Sequence, residues 1–147
     1  MMNYSELTKQ VGQLLWSVMP EDALTIRIQG SVYELNSSGL VTFIMKNTER
    51  ESWFDFDDPR NQIVSDILKI IEEYKKSIDE SHEIWSHFEV ELSELGKIKI
   101  NFAYIPEDDS WVGLYMKGVS DLTKEEAQAN YISEQEWLER VKKYKGV

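Results

Sequence analysis

The sequence contains no cysteine, few glycines and no long apolar run. Without cysteine the chain has no disulfide, no thiolate nucleophile and no metal site built on thiolate ligands. No segment approaches the roughly 20 apolar residues that cross a bilayer. The polar start MMNYSELTKQ also lacks the basic and apolar regions of a secretory signal. We therefore expect a cytoplasmic protein without redox chemistry at its side chains.

Positive charge is also scarce. The 147 residues include 27 Asp and Glu but only 16 Lys and Arg, which gives a formal net charge of −11. A protein that binds nucleic acid needs a basic stripe for the phosphates, so this charge argues against that class. It favours a basic protein partner, although negative charge by itself also keeps proteins soluble. The hydrophobic content of 41% is enough for one core, and we expect a single domain over residues 1–147.

Motifs for catalysis and metal binding are missing from the chain. The two histidines, His82 and His87, miss the HExxH spacing by one residue, and we expect them to be surface or half-buried side chains. The acidic run at 55–58 resembles a calcium loop, but Pro59 stands where a ligand belongs and no glycine follows. The string GVSDL at 118–122 ends in leucine where a nucleophile elbow needs glycine. We therefore expect no enzyme, no metal and no cofactor.

Two long segments have the apolar spacing of amphipathic helices. The first spans residues 4–19 and opens with Asn3 and Glu6 at the spacing of a capping box. The second runs from about 59 to 80, where Asp58 and the proline after it fit the N-cap and first helical positions. We expect the second to be a long central helix.

Residues 121–145 predict a broken helical tail. Two capping-box spacings fall within this range, Thr123 with Glu126 and Ser133 with Glu136. The apolar stripe of the tail consists of Trp137, Val141 and Tyr144.

Period-two alternation predicts the strands. A first strand begins at Leu24, and a change of apolar face beyond Gly30 predicts a bulge there. A turn at 36–39 leads to a second strand over 40–46. Alternating apolar residues at 112–116 predict a further strand.

The alternation is clearest in a hairpin over residues 88–104. A loop at 94–96 joins its strands, and Gly96 is free to take a positive φ there. The predicted register pairs Leu92 with Ile98, Val90 with Ile100, Phe88 with Phe102 and, on the solvent face, Glu91 with Lys99. These elements together predict an α+β fold. We expect an antiparallel sheet of about four to six strands, with an N-terminal helix, a long central helix and a C-terminal helical segment packed mainly on one face.

Two short segments combine aromatic rings with acidic groups. The first is ESWFDFDDP at 51–59, and the second is EDDSW at 107–111. Aromatic anchors ringed by carboxylates are typical of a hot spot for a cationic protein surface. In the alternative interpretation Trp53 or Phe54 folds inward at the end of an edge strand, and the acids only solvate the loop. The predicted contacts to a partner are Trp53, Asp55, Asp57, Asp58, Asp108, Asp109 and Trp111.

The segment IWSHFEVELSELGKIKINFAYI at 84–105 resembles the tryptophan, alternating strand and Gly-Lys-x-Lys-Ile-x-Phe-x-Tyr pattern of the YezG/EsaG-like immunity proteins. The order of elements also agrees, from the N-terminal helix and the MPED turn to a late helix spanning Trp137 to Tyr144. Ala103 stands where members often carry an aspartate. The resemblance implies a cytosolic antitoxin that binds and neutralises the toxic C-terminal domain of a polymorphic toxin, usually a nuclease.

This implied function agrees with the charge. A nuclease domain must be basic to hold phosphates, so an acidic inhibitor is steered to it and can occupy its cleft. We therefore expect stoichiometric inhibition through tight binding. Two rival functions stay open: a general acidic interaction or adaptor domain without a toxin partner, and a small hydrolase with an unrecognised carboxylate site. Exposed aromatics would also serve a homodimer.

Overall fold

A computed structural model describes residues 2–34, 36–78 and 85–146 of the chain. The elements are α1 (Tyr4–Val18), β1 (Ala23–Val32), β2 (Ser37–Met45), β3 (Glu51–Ser52), α2 (Gln62–Ser77), β4 (His87–Ser93), β5 (Ile98–Ala103), α3 (Lys124–Ala129) and α4 (Glu134–Lys145). Short 3-10 turns lie at Pro59–Asn61, Glu107–Asp109 and Val119–Asp121. Within these ranges, no helix has both the length and the apolar character that a membrane span needs.

The strands form one antiparallel sheet in the order β3-β2-β1-β4-β5. Helices α1 and α2 pack against each other and against one face of this sheet. The predicted α+β class, with its N-terminal and central helices, is therefore confirmed. The fully buried centre of this core comes from Leu7, Val11 and Leu15 of α1, Ile67 and Ile71 of α2, and Ile26, Ile28, Phe88 and Val90 of the sheet.

The predicted helix starts are confirmed by their caps. The Asn3 side chain accepts the Glu6 amide at 2.8 Å, and the Asp58 side chain accepts the Arg60 amide at 2.8 Å. Asp58 opens a 3-10 turn that continues into α2, which ends at Ser77. The predicted end of this helix near residue 80 lies outside the described residues.

The β4–β5 hairpin has the predicted register. Leu92 lies opposite Ile98, Val90 opposite Ile100, Phe88 opposite Phe102 and Glu91 opposite Lys99. Gly96 has a φ of 80°, as the turn requires. Alternation was sufficient here because one face of the hairpin is dry and the other is charged, which fixes a register.

The predicted bulge at Gly30 is wrong. Gly30 pairs regularly with Gly39 and Phe88, and the irregularity of β1 lies between Ala23 and Thr25 instead. Glycine is needed at this position because a Cβ on it would lie 2.7 Å from Cζ of Phe88. The predicted turn at 36–39 is also displaced, since Ser37 already belongs to β2.

The predicted strand at 112–116 is wrong as well. Gly113 and Met116 have φ angles of 87° and 66°, which interrupt any extended run, and Val112 is almost fully exposed. Leu114 instead enters a second hydrophobic cluster with residues of the C-terminal tail. The other buried members of this cluster are Val119, Leu122, Ala127 and Ile132.

The broken helical tail is confirmed. Thr123 and Glu126 form a reciprocal capping box at the start of α3, and the Ser133 side chain accepts the Glu136 amide at the start of α4. Trp137 packs against the second cluster, and its indole N–H donates to the Leu122 carbonyl at 2.9 Å.

Candidate binding surface

Residues 53–58 form a loop between β3 and the 3-10 turn, which we call the acidic lip. Only Glu51 and Ser52 pair with β2, so the chain leaves the sheet before Trp53. The Asn61 side chain donates to the Asp55 carbonyl at 2.7 Å, and Asp58 caps the following turn. The lip is thus held at both ends by the elements that flank it.

The aromatic residues of the lip point in different directions. Phe54 is buried, with its ring 4.9 Å from that of Phe43 and beneath the guanidinium of Arg60 at 4.3 Å. Trp53 is 66% exposed and Phe56 is completely exposed. The inward-folding alternative therefore holds for Phe54, whereas Trp53 and Phe56 present apolar surface to solvent.

The carboxylates of the lip also differ in their surroundings. Asp58 is half-buried and forms an ion pair with Arg60 at 2.6 Å, and hydrogen bonds from the Arg60 side chain hold the pKa of Asp58 below its usual range. Asp55 and Asp57 are exposed, and neither side chain has an ion pair or hydrogen bond with any residue of the described ranges. The carboxylates of the lip without an ion pair or hydrogen bond are therefore Asp55 and Asp57, although the nearby Arg60 guanidinium also attracts Asp55.

The second predicted segment is more tightly integrated into the fold. Asp108 is exposed, but Lys143 and Tyr144 of α4 both donate to its carboxylate, which lowers its pKa. Trp111 is half-buried against the second hydrophobic cluster, and its indole N–H donates to the Asn130 carbonyl at 3.2 Å. Both side chains already have partners within the molecule.

Asp109 lies inside the molecule rather than on its surface. It is 3% exposed and accepts hydrogen bonds from the amide of Ser120 at 3.0 Å and from its hydroxyl at 2.7 Å. Gly118 lies so close that any Cβ there would collide with the Asp109 carboxylate. These contacts assign Asp109 a structural role, which its sequence position beside Asp108 did not reveal.

The β1–β2 turn lies between the two segments. The Asn36 side chain donates to the Glu107 carboxylate at 3.4 Å. On the other side, Ser37, Ser38 and Gly39 line one open groove of about 780 Å³ together with Asp58 and Pro59 at the end of the lip. The lip therefore continues into a groove between β2 and α2.

His87 is fully buried, contrary to the prediction of a surface or half-buried histidine. Its Nδ1 is 2.9 Å from the hydroxyl of Ser86, and that hydroxyl also bonds the backbone of Ile105. Burial lowers the pKa of His87, and the positive charge of Lys75 lowers it further. A serine and histidine enclosed in this way join β4 to the following segment, and a substrate cannot reach them. His82 lies outside the described residues.

The chemistry of the described residues offers no competing site. Over residues 2–34, 36–78 and 85–146, no group of three or more His, Asp or Glu is arranged to hold a metal ion. The exposed pair of aromatics beside two free carboxylates is thus the feature that most resembles a site for a partner.

Comparison with known proteins identifies the family. The model of the family described as "Immunity protein YezG-like" matches residues 4–117. This range contains α1, α2, all of the described strands, the acidic lip and the segment at 107–111, whereas α3 and α4 lie beyond it. No curated protein matches the chain. Because the family match spans well over half of the sequence, the chain belongs to the YezG-like immunity protein family.

Proposed function

We propose that this protein is an antitoxin that binds the toxic domain of a cognate polymorphic toxin one to one, and that the acidic lip contacts a basic surface of that domain. Membership of the family supports an immunity-type function with a toxin as partner. The observation that supports this choice of surface is that the exposed side chains of Trp53 and Phe56 lie in the same short loop as the Asp55 and Asp57 carboxylates, which have no ion pair or hydrogen bond among the described residues.

Each part of this surface has a physical role in binding. Large aromatic side chains supply contact area that becomes desolvated in a complex, and such residues dominate the energy of many interfaces. Free carboxylates beside them attract a cationic surface over a distance of about one Debye length, roughly 8 Å at physiological salt. Because neither carboxylate has an ion pair or hydrogen bond within the described residues, Asp55 and Asp57 can pair with a toxin cation without first breaking such a bond.

We propose a nuclease as the class of toxin. A nuclease needs a positively charged cleft to hold phosphates, and the net charge of −11 on this chain complements such a cleft. An acidic lip that entered the cleft would occupy the place of the nucleic acid. Inhibition then needs no chemistry from the antitoxin, and the complex is stoichiometric.

Six of the seven predicted contacts fall into two groups in this proposal. Trp53, Asp55 and Asp57 are primary contacts, and Phe56 joins them because of its complete exposure. Asp58, Asp108 and Trp111 are secondary contacts, since each already has a partner within the molecule. Asp109 is left out of the proposed contact surface because it is buried.

The test is the affinity for the toxin domain after charge reversal. The double variant Asp55→Lys with Asp57→Lys should weaken binding by at least about a hundredfold and flatten its salt dependence. The matched control is Glu73→Lys with Glu139→Lys, which makes the same change in net charge at exposed positions of α2 and α4. Titration calorimetry at low and high NaCl measures both. Equal affinity of the two double variants for the toxin domain would show that the acidic lip is not part of the interface.

A further inference from the structure

The outer edge of β2 is only partly covered. Strand β3 pairs with β2 solely at Phe43 and Ile44, so the first half of β2, from Ser37 to Val41, has no strand on its outer side among the described residues. Unpaired backbone at a sheet edge is a template on which another strand can add. Most proteins cover such an edge or charge it, whereas here the uncovered residues include Ser37, Ser38 and Gly39.

The alternation of the ladder identifies which backbone groups face outward. The Val32 amide donates to the Ser86 carbonyl, so the backbone N–H and C=O groups of Val32 point toward β4. Because this direction alternates along a strand, the backbone groups of Ser31 and Gln29 point toward β2. Their partners Ser38 and Leu40 therefore direct their backbone groups inward to β1. A Cβ built on Gly30 would collide with the Ser38 carbonyl, which agrees with this direction.

The backbone groups of Ser37 and Gly39 consequently point away from β1. Within the described ranges, neither residue has a backbone hydrogen bond to a turn, loop or side chain. Four backbone groups, the amides and carbonyls of Ser37 and Gly39, are thus free to receive a strand.

A groove of about 780 Å³ lies directly along this edge. Its other wall is α2, which contributes Val64, Ser65 and Leu68, and its end is formed by Asp58 and Pro59 of the lip and the following turn. The lack of a side chain at Gly39 lets α2 lie close to β2, since a Cβ there would be 3.2 Å from a methyl group of Val64. Lys69 and Glu72 of α2 also line the groove, and Asp58 at its end is paired with Arg60. The groove therefore combines free backbone groups with half-buried apolar side chains and ends where the acidic lip begins.

We infer that this groove receives an extended segment of the toxin domain, which adds to the sheet as a strand beside β2. The inference rests on the proposed function and extends it to the form of the bound segment. The segment pairs with the backbone of Ser37 and Gly39, places an apolar side chain against Val64 and Leu68, and carries a lysine or arginine that reaches Asp55 and Asp57. Backbone pairing supplies affinity, and the lip supplies the preference for a basic segment.

Charge favours the toxin over a second copy of this chain. Two copies paired through this edge would bring two molecules of net charge −11 together, with the free carboxylates of each lip beside the groove of the other. Like charges at such a distance repel. A basic toxin segment meets the same carboxylates as an attractive partner.

Amide hydrogen exchange measured by NMR tests the inference. The probe is the C-terminal domain of the large protein encoded beside this gene, made catalytically inactive, added to this chain labelled with ¹⁵N. Exchange at Ser37 and Gly39 should slow by at least about tenfold in the complex, because each amide gains a partner. Ser38 and Leu40 are internal controls, since β1 already protects them in the free chain.

A second test changes one edge amide. Ser37→Pro removes an outward N–H that β1 does not use and should weaken the complex by about tenfold or more. Ser37→Ala keeps the amide and should bind like the unmodified chain. A tight complex in which Ser37 and Gly39 exchange as fast as in the free chain would overturn the edge inference and leave the proposed function standing.

Two other outcomes have distinct meanings. Failure of the unmodified chain to bind this domain at all would overturn the proposed function, and the edge inference with it. A dimer of the free chain in sedimentation, with Ser37 and Gly39 already protected from exchange, would assign the edge to a second copy and overturn the toxin as its occupant.

Discussion

At the scale of single residues, the clearest constraint in the sheet is the close contact at Gly30. A Cβ at this position would collide both with the ring of Phe88, on the neighbouring strand, and with the carbonyl of Ser38. Neither atom belongs to a flexible chain end, because the phenyl ring is fully buried and the carbonyl is part of the β1–β2 ladder. Even one methyl group must therefore displace core or backbone.

We predict that Gly30→Ala lowers the free energy of unfolding by about 2 to 3 kcal/mol, the cost of overpacking a close-packed core. Urea unfolding followed by circular dichroism measures it. Gly12→Ala is the matched control, because the one contact of its new methyl group among the described residues is the end of the Ile98 side chain, and alanine favours the helix. A Gly30→Ala variant as stable as the unmodified chain would contradict the close contact.

His87 predicts a pH dependence of stability. Burial lowers its pKa in the folded state, and Lys75 lowers it further, so the unfolded chain binds a proton more readily than the folded one. In the unfolded chain the pKa of His87 is about 6.5, so its contribution to stability is complete above that pH. It is lost as the pH falls from there toward the folded pKa.

The measurement is the free energy of unfolding between about pH 7.5 and 5.5, above the range in which unperturbed carboxylates titrate. The unmodified chain should lose stability across this interval, whereas His87→Gln should lose clearly less. An unchanged slope in His87→Gln would place its origin in another group.

The sequence could not reveal which of two adjacent, chemically similar residues is buried. Asp108 and Asp109 are adjacent acids, yet one is exposed and the other is 3% exposed. The difference is made by Ser120, eleven residues further along the chain, whose amide and hydroxyl donate to Asp109, and by the close backbone of Gly118. The exposure of Trp53 and burial of Phe54 depend in the same way on Phe43 and Arg60.

At the scale of elements, sequence prediction succeeded where the determinants are local. The caps of α1, α3 and α4 depend on residues three apart, and the β4–β5 register depends on alternation across one short turn. The lack of a strand near Leu114 depends on distant packing instead. Leu114 is buried by the C-terminal tail, and the positive φ of Met116 breaks any alternation there.

Helix α4 packs on the second hydrophobic cluster through Trp137 and is joined to the preceding segment by ion pairs. It contains no fully buried residue, but Trp137 packs on the second cluster and donates to the Leu122 carbonyl. We predict that Trp137→Ala destabilises the docked state of α4 by about 3 kcal/mol, the scale of losing a large aromatic from a core. Amides of α4 should then exchange much faster.

The control is Leu138→Ala on the same helix, since that side chain is half exposed. It should leave exchange in α4 close to that of the unmodified chain. Unchanged protection of α4 in Trp137→Ala would mean that ion pairs such as Lys143 with Asp108 and Lys145 with Asp121 hold the helix by themselves. We expect exposed pairs of this kind to be too weak for that.

At the scale of the whole molecule, the two hydrophobic clusters raise the question of cooperativity. The Ser86 hydroxyl and the Tyr33 hydroxyl both bond the backbone of Ile105, which leads from the sheet into the second cluster. We propose that these buried contacts make residues 1–147 one cooperative domain. Unfolding by tryptophan fluorescence and by far-UV circular dichroism should give coincident transitions. Two separated transitions would indicate that the clusters unfold independently.

The net charge of −11 also acts at this scale, because a field of one sign guides an approaching basic protein before any contact forms. The family, the charge and the exposed lip each support the account in which this protein neutralises a toxin by binding to it.

The most direct measurement is growth of bacteria that produce the C-terminal domain of the large protein encoded beside this gene, with and without this chain. We expect the toxin domain alone to stop growth, the unmodified chain to restore it, and the two proteins to purify together. We also expect that the Glu73→Lys, Glu139→Lys control protects, whereas the Asp55→Lys, Asp57→Lys variant protects poorly at equal expression. Continued killing in the presence of the well-expressed, folded and unmodified chain would contradict the account.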